Sequence, residues 1–273
     1  MVNCSMQYRI LGKTNLKVSI VGFGGIPIRR VPENEAVVVI NRAVDLGINY
    51  IHTSPGYGDS AIKVGKVMRD RRDECILNWK CFSLTKEEGE ACLERGLKML
   101  QTDRIDIVQL RMDEEHFEKA MGEDGSLQAL KEAQRRGTID HIGVTSHIPE
   151  FLTKAIATGE FSNMVVPFNY VATDPLKELF PVAKKLNVGI TAMKPLGRGA
   201  LTNVSTALNY IWSHGVVSAI VGMRNIAEVE ENTAVGAKPH ALTEEEEREI
   251  QSWRRKLLET HRVESGAVIP KKS

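Results

Sequence analysis

The chain has 273 residues, 42% of them hydrophobic and 26% charged, with 36 basic side chains against 35 acidic and a formal net charge of +1. That balance describes a globular protein able to bury one large core, and it disfavours a nucleic-acid partner held by charge. No apolar run reaches the roughly 20 residues that cross a bilayer, and the start Met-Val-Asn-Cys-Ser-Met-Gln has no signal-peptide pattern, so a cytoplasmic protein acting on a small molecule is expected. Cys4, Cys75, Cys81 and Cys92 contain no Cys-x-x-Cys pair, which predicts reduced thiols and no metal site.

In chain order, short β-branched runs alternate with longer segments of helical period. The predicted strands are Val18–Phe23, Tyr50–Thr53, Cys75–Lys80, Ile105–Leu110, Ile139–Thr145, Met164–Phe168, Val188–Met193 and Val217–Val221. Between them, Pro32–Leu46, Lys86–Leu100, Ser126–Arg136, Asp174–Leu186 and Asn225–Ala234 read as helices. Eight βα units in one domain, residues 1–273, predict an α/β fold of the TIM (β/α)8 barrel type. An open doubly wound sheet is disfavoured, because Gly22-Phe-Gly-Gly25 is followed by Ile-Pro and opens no helix. A capping-box-like Thr243 and Glu246 start an extra C-terminal helix reaching about Glu259, and Gly266–Ser273 reads as a loose polar end.

In such a barrel the chemistry sits on loops at the carboxyl ends of the strands. Asn49-Tyr-Ile-His-Thr-Ser-Pro-Gly-Tyr57 ends the second strand in a Pro-Gly loop carrying a phenol, and Lys80 ends the third. Two strand ends can aim the phenol and the ammonium at one point, which is a proton-donor geometry. His52 lies on the same strand as the Tyr57 loop, and Arg111 follows the fourth strand, where an ion pair with Asp113 or Glu114 is the alternative to an active role.

These residues resemble the active-site segment of the aldo-keto reductases. Further ordered blocks carry the resemblance over nearly the whole chain: the opening Tyr8-Arg-Ile-Leu-Gly-Lys-Thr-Asn-Leu-Lys-Val-Ser19, which is similar to their N-terminal β-hairpin, then Leu100–Leu110, Gly143-Val-Thr-Ser-His147, Lys194-Pro-Leu-Gly-Arg-Gly199 and Val221-Gly-Met-Arg-Asn225 with Glu231 and Asn232. The resemblance is to bacterial and archaeal members related to those carrying an iron-sulfur module, which is absent here. It implies that Tyr57 protonates a carbonyl with help from Lys80 while a nicotinamide delivers hydride. It also exposes two departures, since the family places an aspartate at His52 and a histidine at Arg111.

For the cofactor the resemblance implies contacts from Thr145 and Ser146, from a pyrophosphate strap of Lys194, Pro195, Leu196, Gly197 and Arg198, and from Gly222, Met223, Arg224, Asn225, Glu228, Glu231 and Asn232. Arg224 at a helix start would pair the 2′-phosphate of NADP and so favour NADP over NAD, while Glu228 would oppose it. Val165 and Met193 replace the glutamine and aromatic that clamp the nicotinamide in the family. The expected function is NADP-dependent reduction of a small carbonyl compound bearing an anionic group read by Arg111, in a monomer or weak homo-oligomer. A lyase or isomerase using Tyr57 and Lys80 for proton transfer, or a catalytically silent nucleotide-binding protein, is the alternative.

Overall fold

The computed structural model describes residues 5–264 and 266–270. Eight parallel strands close into a barrel: β3 (Val21–Gly24), β4 (Tyr50–Thr53), β5 (Ile76–Cys81), β6 (Ile105–Arg111), β7 (Ile139–Thr145), β8 (Asn163–Pro167), β9 (Gly189–Met193) and β10 (Ser218–Gly222), the last pairing back onto β3. The wrapping helices are α1 (Glu33–Asp45), α2 (Ser60–Arg71), α3 (Lys86–Leu100), α4 (Glu114–Met121), α5 (Ser126–Arg135), α6 (Pro149–Ala157), α7 (Leu179–Lys185), α8 (Val204–Ser213) and α9 (Ile226–Ala237), followed by α10 (Glu244–Thr260). The apolar, β-branched strand text is explained by burial on both faces, inward against the barrel interior and outward against these helices.

The run expected as a single strand from Val18 to Phe23 divides at Ile20. Its first half is β2 (Lys17–Ser19), which pairs antiparallel with β1 (Tyr8–Ile10) as the N-terminal hairpin, and its second half is β3 in the barrel wall. The division has a hydrogen-bonding cause: the Ile20 carbonyl accepts from Ala219 N and from the Trp212 indole, so the chain is pinned where it leaves the hairpin for the wall. The hairpin closes the amino end of the barrel. Leu11 reaches Gly189 so closely that a β-carbon there would lie 2.7 Å from the leucine, and Leu11 packs in a cluster with Val18, Tyr50, Ile107, Val165 and Ile220.

Two further expectations are corrected. The expected loose tail from Gly266 is instead ordered from Gly266 to Pro270: β11 (His261–Glu264) and β12 (Ala267–Pro270) form a second hairpin, while residues 271–273 lie outside the described residues. Ala267 is buried, Val268 packs on the main core, and the Gly266 carbonyl accepts from the amide of Asn169, so the apolar part of the end, Gly266-Ala-Val-Ile-Pro270, is settled by packing and by that hydrogen bond. Cys81 and Cys92 form a disulfide between β5 and α3 rather than remaining reduced, and Cys75 is the buried free thiol among the described residues. Cys4 lies outside the described residues. No helix among the described residues is long and apolar enough to cross a membrane.

Candidate active site

Strand alternation decides what faces inward at the end of β5. Trp79 packs outward against Gly96 of α3, and Cys81 is tied outward to Cys92, so the residue between them, Lys80, points to the barrel mouth. The β4–α2 loop is fastened to the same strand end: the Ser54 hydroxyl donates to the Lys80 carbonyl at 3.2 Å, Tyr57 N donates to Ser54 O at 3.1 Å, and Gly58 supplies a left-handed φ of 60°. This frame places Lys80 Nζ 2.6 Å from Tyr57 Oη. The ammonium also lies 4.5 Å from the centre of the tyrosine ring.

His52 is buried on β4, with its ring centre 6.0 Å from that of Tyr57 and its Nε2 without a hydrogen-bond partner. Burial, reinforced by the charge of Lys80, lowers its pKa to about 3, so it is neutral. Burial raises the Tyr57 phenol to about 12 against the opposing pull of Arg111. Lys80 is lowered to about 8, by burial first and then by Arg111 and Lys194. Arg111 ends β6 with its guanidinium 5.6 Å from the Phe82 ring centre. The acids that could have neutralised it are engaged elsewhere: Asp113 with His116 at 2.6 Å, and Glu114 with Lys154 at 2.8 Å.

The neutral state of His52 has a stability consequence. Its folded pKa lies below the ordinary 6.5, so the unfolded chain binds the proton first and stability is lost as pH falls from about 6.5 toward 3. At pH 5 this amounts to about 2 kcal/mol relative to neutral pH. Urea unfolding should show a loss between pH 7 and 5 that is smaller by about that amount in His52→Gln than in the wild type, the remainder coming from other lowered histidines such as His147; equal acid sensitivity of the two would remove the claim.

The mouth holds further charged and titratable groups. His147, two residues past the Thr145 that pairs with Arg111 across β6 and β7, is lowered to about 4 by desolvation and then by Lys194, Arg111, Lys80 and Arg198. Sequence reasoning assigned it no role; its step past a strand end was the available signal. Lys194 is lowered to about 8, by burial and then by Arg198. The mouth is thus a basin of cations gathered from separate strands.

The remaining predicted residues divide. Thr145 and Ser146 are buried, with the Thr145 hydroxyl donating to Val165 O at 2.9 Å and Ser146 Oγ accepting from Ile148 N. Lys194 to Gly199 form a tight turn, with left-handed φ at Lys194, Gly197, Arg198 and Gly199 and with Gly197 N bonded to Lys194 O. Gly222, Met223, Arg224 and Asn225 lead into α9, which Asn225 caps by accepting from Glu228 N. Glu228 grips Arg224 twice, accepting from its guanidinium at 2.6 Å and from its backbone N at 2.6 Å. Glu231 is exposed, whereas Asn232 is buried and its Oδ1 lacks a partner. Asn169 is saturated by Lys194 O, Gly266 O, Val171 N and Ala172 N.

A closed parallel barrel with a phenol and an amine meeting at its carboxyl end is the frame of an enzyme site, and the sequence profile of the Aldo/keto reductase family matches residues 20–207. The chain belongs to that family, and it is an enzyme of the aldo-keto reductase type. It is 26% identical to L-galactose dehydrogenase of Arabidopsis thaliana, a match covering 89% of this chain and 92% of the plant protein. Its fold is similar to that of an aldo-keto reductase from Bacillus halodurans (TM-score 0.81, 24% identity, 90% of this chain and 96% of that one). It is also similar to one from Klebsiella pneumoniae solved with NADP and acetate (TM-score 0.76, 19% identity, 91% and 95%).

Proposed function

We propose that the chain is an NADP-dependent reductase of a small carbonyl compound bearing an anionic group, with Tyr57 as proton donor. The observation that carries this reading is the 2.6 Å contact between Lys80 Nζ and Tyr57 Oη at the cation-lined mouth. With its pKa held near 12, the phenol carries its proton at neutral pH, and the ammonium beside it stabilises the phenolate left after transfer. Arg111, which has no ion pair among the described residues, offers a planar fork to a carboxylate or phosphate on the substrate.

The residues suit a dinucleotide at its phosphate end. The left-handed turn at Lys194–Gly199 brings backbone amides and Arg198 to a pyrophosphate, and the unpartnered Oδ1 of Asn232 suits a donor such as an adenine amino group. The reduced nicotinamide, when bound, supplies hydride. Tyr57 then protonates the carbonyl oxygen, Lys80 steadies the phenolate and Arg111 orients the substrate. NADPH consumption in the presence of glyoxylate, pyruvate or propanal tests the reading: faster turnover of the two oxo acids supports it, and no consumption with any of the three rejects it.

Discrimination at the 2′-phosphate depends on Glu228, whose carboxylate occupies the same guanidinium and helix-start amide that a phosphate would use. Glu228→Gln should therefore tighten NADPH about 10-fold, a charge-assisted contact being worth about 1.5–3 kcal/mol. NADH should change by less than about twofold, because it has no 2′-phosphate to contact Arg224. Fluorescence titration of both nucleotides checks this, and unchanged NADPH affinity would remove Arg224 from the phosphate site.

A further inference from the structure

Lys80 is a half-buried amine with no carboxylate beside it. Among the described residues it enters no ion pair; the charged and titratable groups around it are Tyr57, His52, Arg111, Lys194 and His147, contributed by β4 and its loop, β6, β9 and the loop after β7. None is an anion at neutral pH, since His52 is neutral and Tyr57 keeps its proton. Desolvation next to another cation is the arrangement that turns a lysine into a nucleophile toward carbonyl groups.

We propose that Lys80 Nζ forms an imine with a small 2-oxo acid whose carboxylate is held by Arg111, an activity separate from hydride transfer and independent of any nicotinamide. The proposal rests on the anionic-carbonyl substrate class of the reductase reading but not on its cofactor. The nitrogen lone pair attacks the carbonyl carbon, a C–N bond forms and the C=O π electrons move to oxygen. Tyr57 Oη, 2.6 Å from Nζ, gives its proton to that oxygen and recovers one from the nitrogen. Tyr57 Oη, now carrying the proton taken from the nitrogen, gives it to the hydroxyl, which leaves as water while the nitrogen lone pair closes the C=N bond, and the phenolate takes the remaining proton from the iminium nitrogen. The sum is amine plus carbonyl giving imine plus water, with nothing oxidised or reduced.

The charge state supports the step. With Lys80 at about 8, roughly a quarter of it is free amine at about pH 7.5, against about one part in a thousand for an ordinary exposed lysine. The same residue serves the reductase in its protonated state, so the two chemistries divide between two protonation states of one nitrogen.

Reductive trapping tests the proposal on the wild-type chain. The protein is incubated with glyoxylate and cyanoborohydride without nicotinamide, digested, and mapped by peptide mass. The expected result is carboxymethylation of Lys80 at least about 10-fold above exposed lysines such as Lys98 and Lys184, in keeping with its larger free-amine fraction. Arg111→Leu should lower labelling by both aldehydes, because loss of the cation favours the ammonium of Lys80, but should lower labelling by glyoxylate several-fold more than labelling by propanal, which has no carboxylate to anchor. An unlabelled Lys80 in a folded protein, or label on Lys194 in its place, overturns the assignment, as does equal labelling of Lys80 and the exposed lysines. Should the variant not fold, the wild-type preference for glyoxylate over propanal at Lys80 decides the role of Arg111. The NADPH assay is independent: labelled Lys80 with no reduction rejects only the reductase, and reduction with unlabelled Lys80 rejects only the imine.

Discussion

Tyr57→Phe is expected to lower carbonyl reduction by about 10²–10⁴-fold, the range that a positioned general acid supplies. The substitution removes one oxygen, whose hydrogen-bond partner is Lys80, so the β4–α2 loop should keep its position through Ser54 and Gly58. Nucleotide affinity should stay within about twofold of wild type, because none of the strap or helix-start groups is touched. A pH profile sharpens the expectation. In the proposed mechanism reduction needs Tyr57 protonated and Lys80 charged; with the two near 12 and 8, wild-type activity should be level through neutrality and decline as Lys80 loses its proton above about 8. Steady-state NADPH consumption by wild type and variant measures both effects. A fully active Tyr57→Phe protein would move the proton donor elsewhere in the mouth, and an inactive wild type that still binds nucleotide would favour the silent-binding alternative.

The barrel was legible because a strand buried on both faces must be written in apolar residues, and eight such runs stand out between helical segments. What the one-dimensional pattern could not carry was the point at which a continuous apolar run changes partner. Val18–Phe23 reads as one strand, yet Ile20 is held by Ala219 and Trp212, both about 200 residues away in the sequence. The tail failed for a related reason: Val268 and Ile269 favour strand, but they stand in a short run between Gly266 and Pro270 and are held by contacts with Asn169 and the main core, which lie far away in the sequence. The cysteine pairing depended on the strand alternation that turns Cys81 outward toward α3. In the candidate site, the residue types at strand ends were readable, but their charge relations were not. The clamp of Glu228 on Arg224 and the engagement of Asp113 and Glu114 away from Arg111 are facts of side-chain geometry. They alter which anion the mouth can accept, and the sequence offered them only as alternatives.

The last expected result concerns the two family departures. His52→Asp combined with Arg111→His should put a carboxylate beside Lys80 and remove the cation that ranks just behind burial in depressing it. Both changes favour the ammonium, so the alkaline decline of activity should shift upward by about 1–3 pH units, the usual effect of an adjacent opposite charge. Turnover of neutral aldehydes should rise by roughly 10–100-fold, since general-acid catalysis depends on the charge state of the groups around the donor. The preference for oxo acids should fall with the loss of the guanidinium fork. Trapping of Lys80 by glyoxylate should fall too, because the amine would be held protonated and its carboxylate anchor would be gone. The new aspartate should be tolerated in the buried site of His52, as Lys80 stands ready to pair with it, and a thermal melt within a few degrees of wild type would show this. If wild type and double variant reduce propanal equally and decline at the same pH, these two positions do not set the chemistry. If the decline shifts but propanal turnover does not, the charge state of Lys80 is set by these two positions as described and the step limited by proton transfer lies outside the tyrosine.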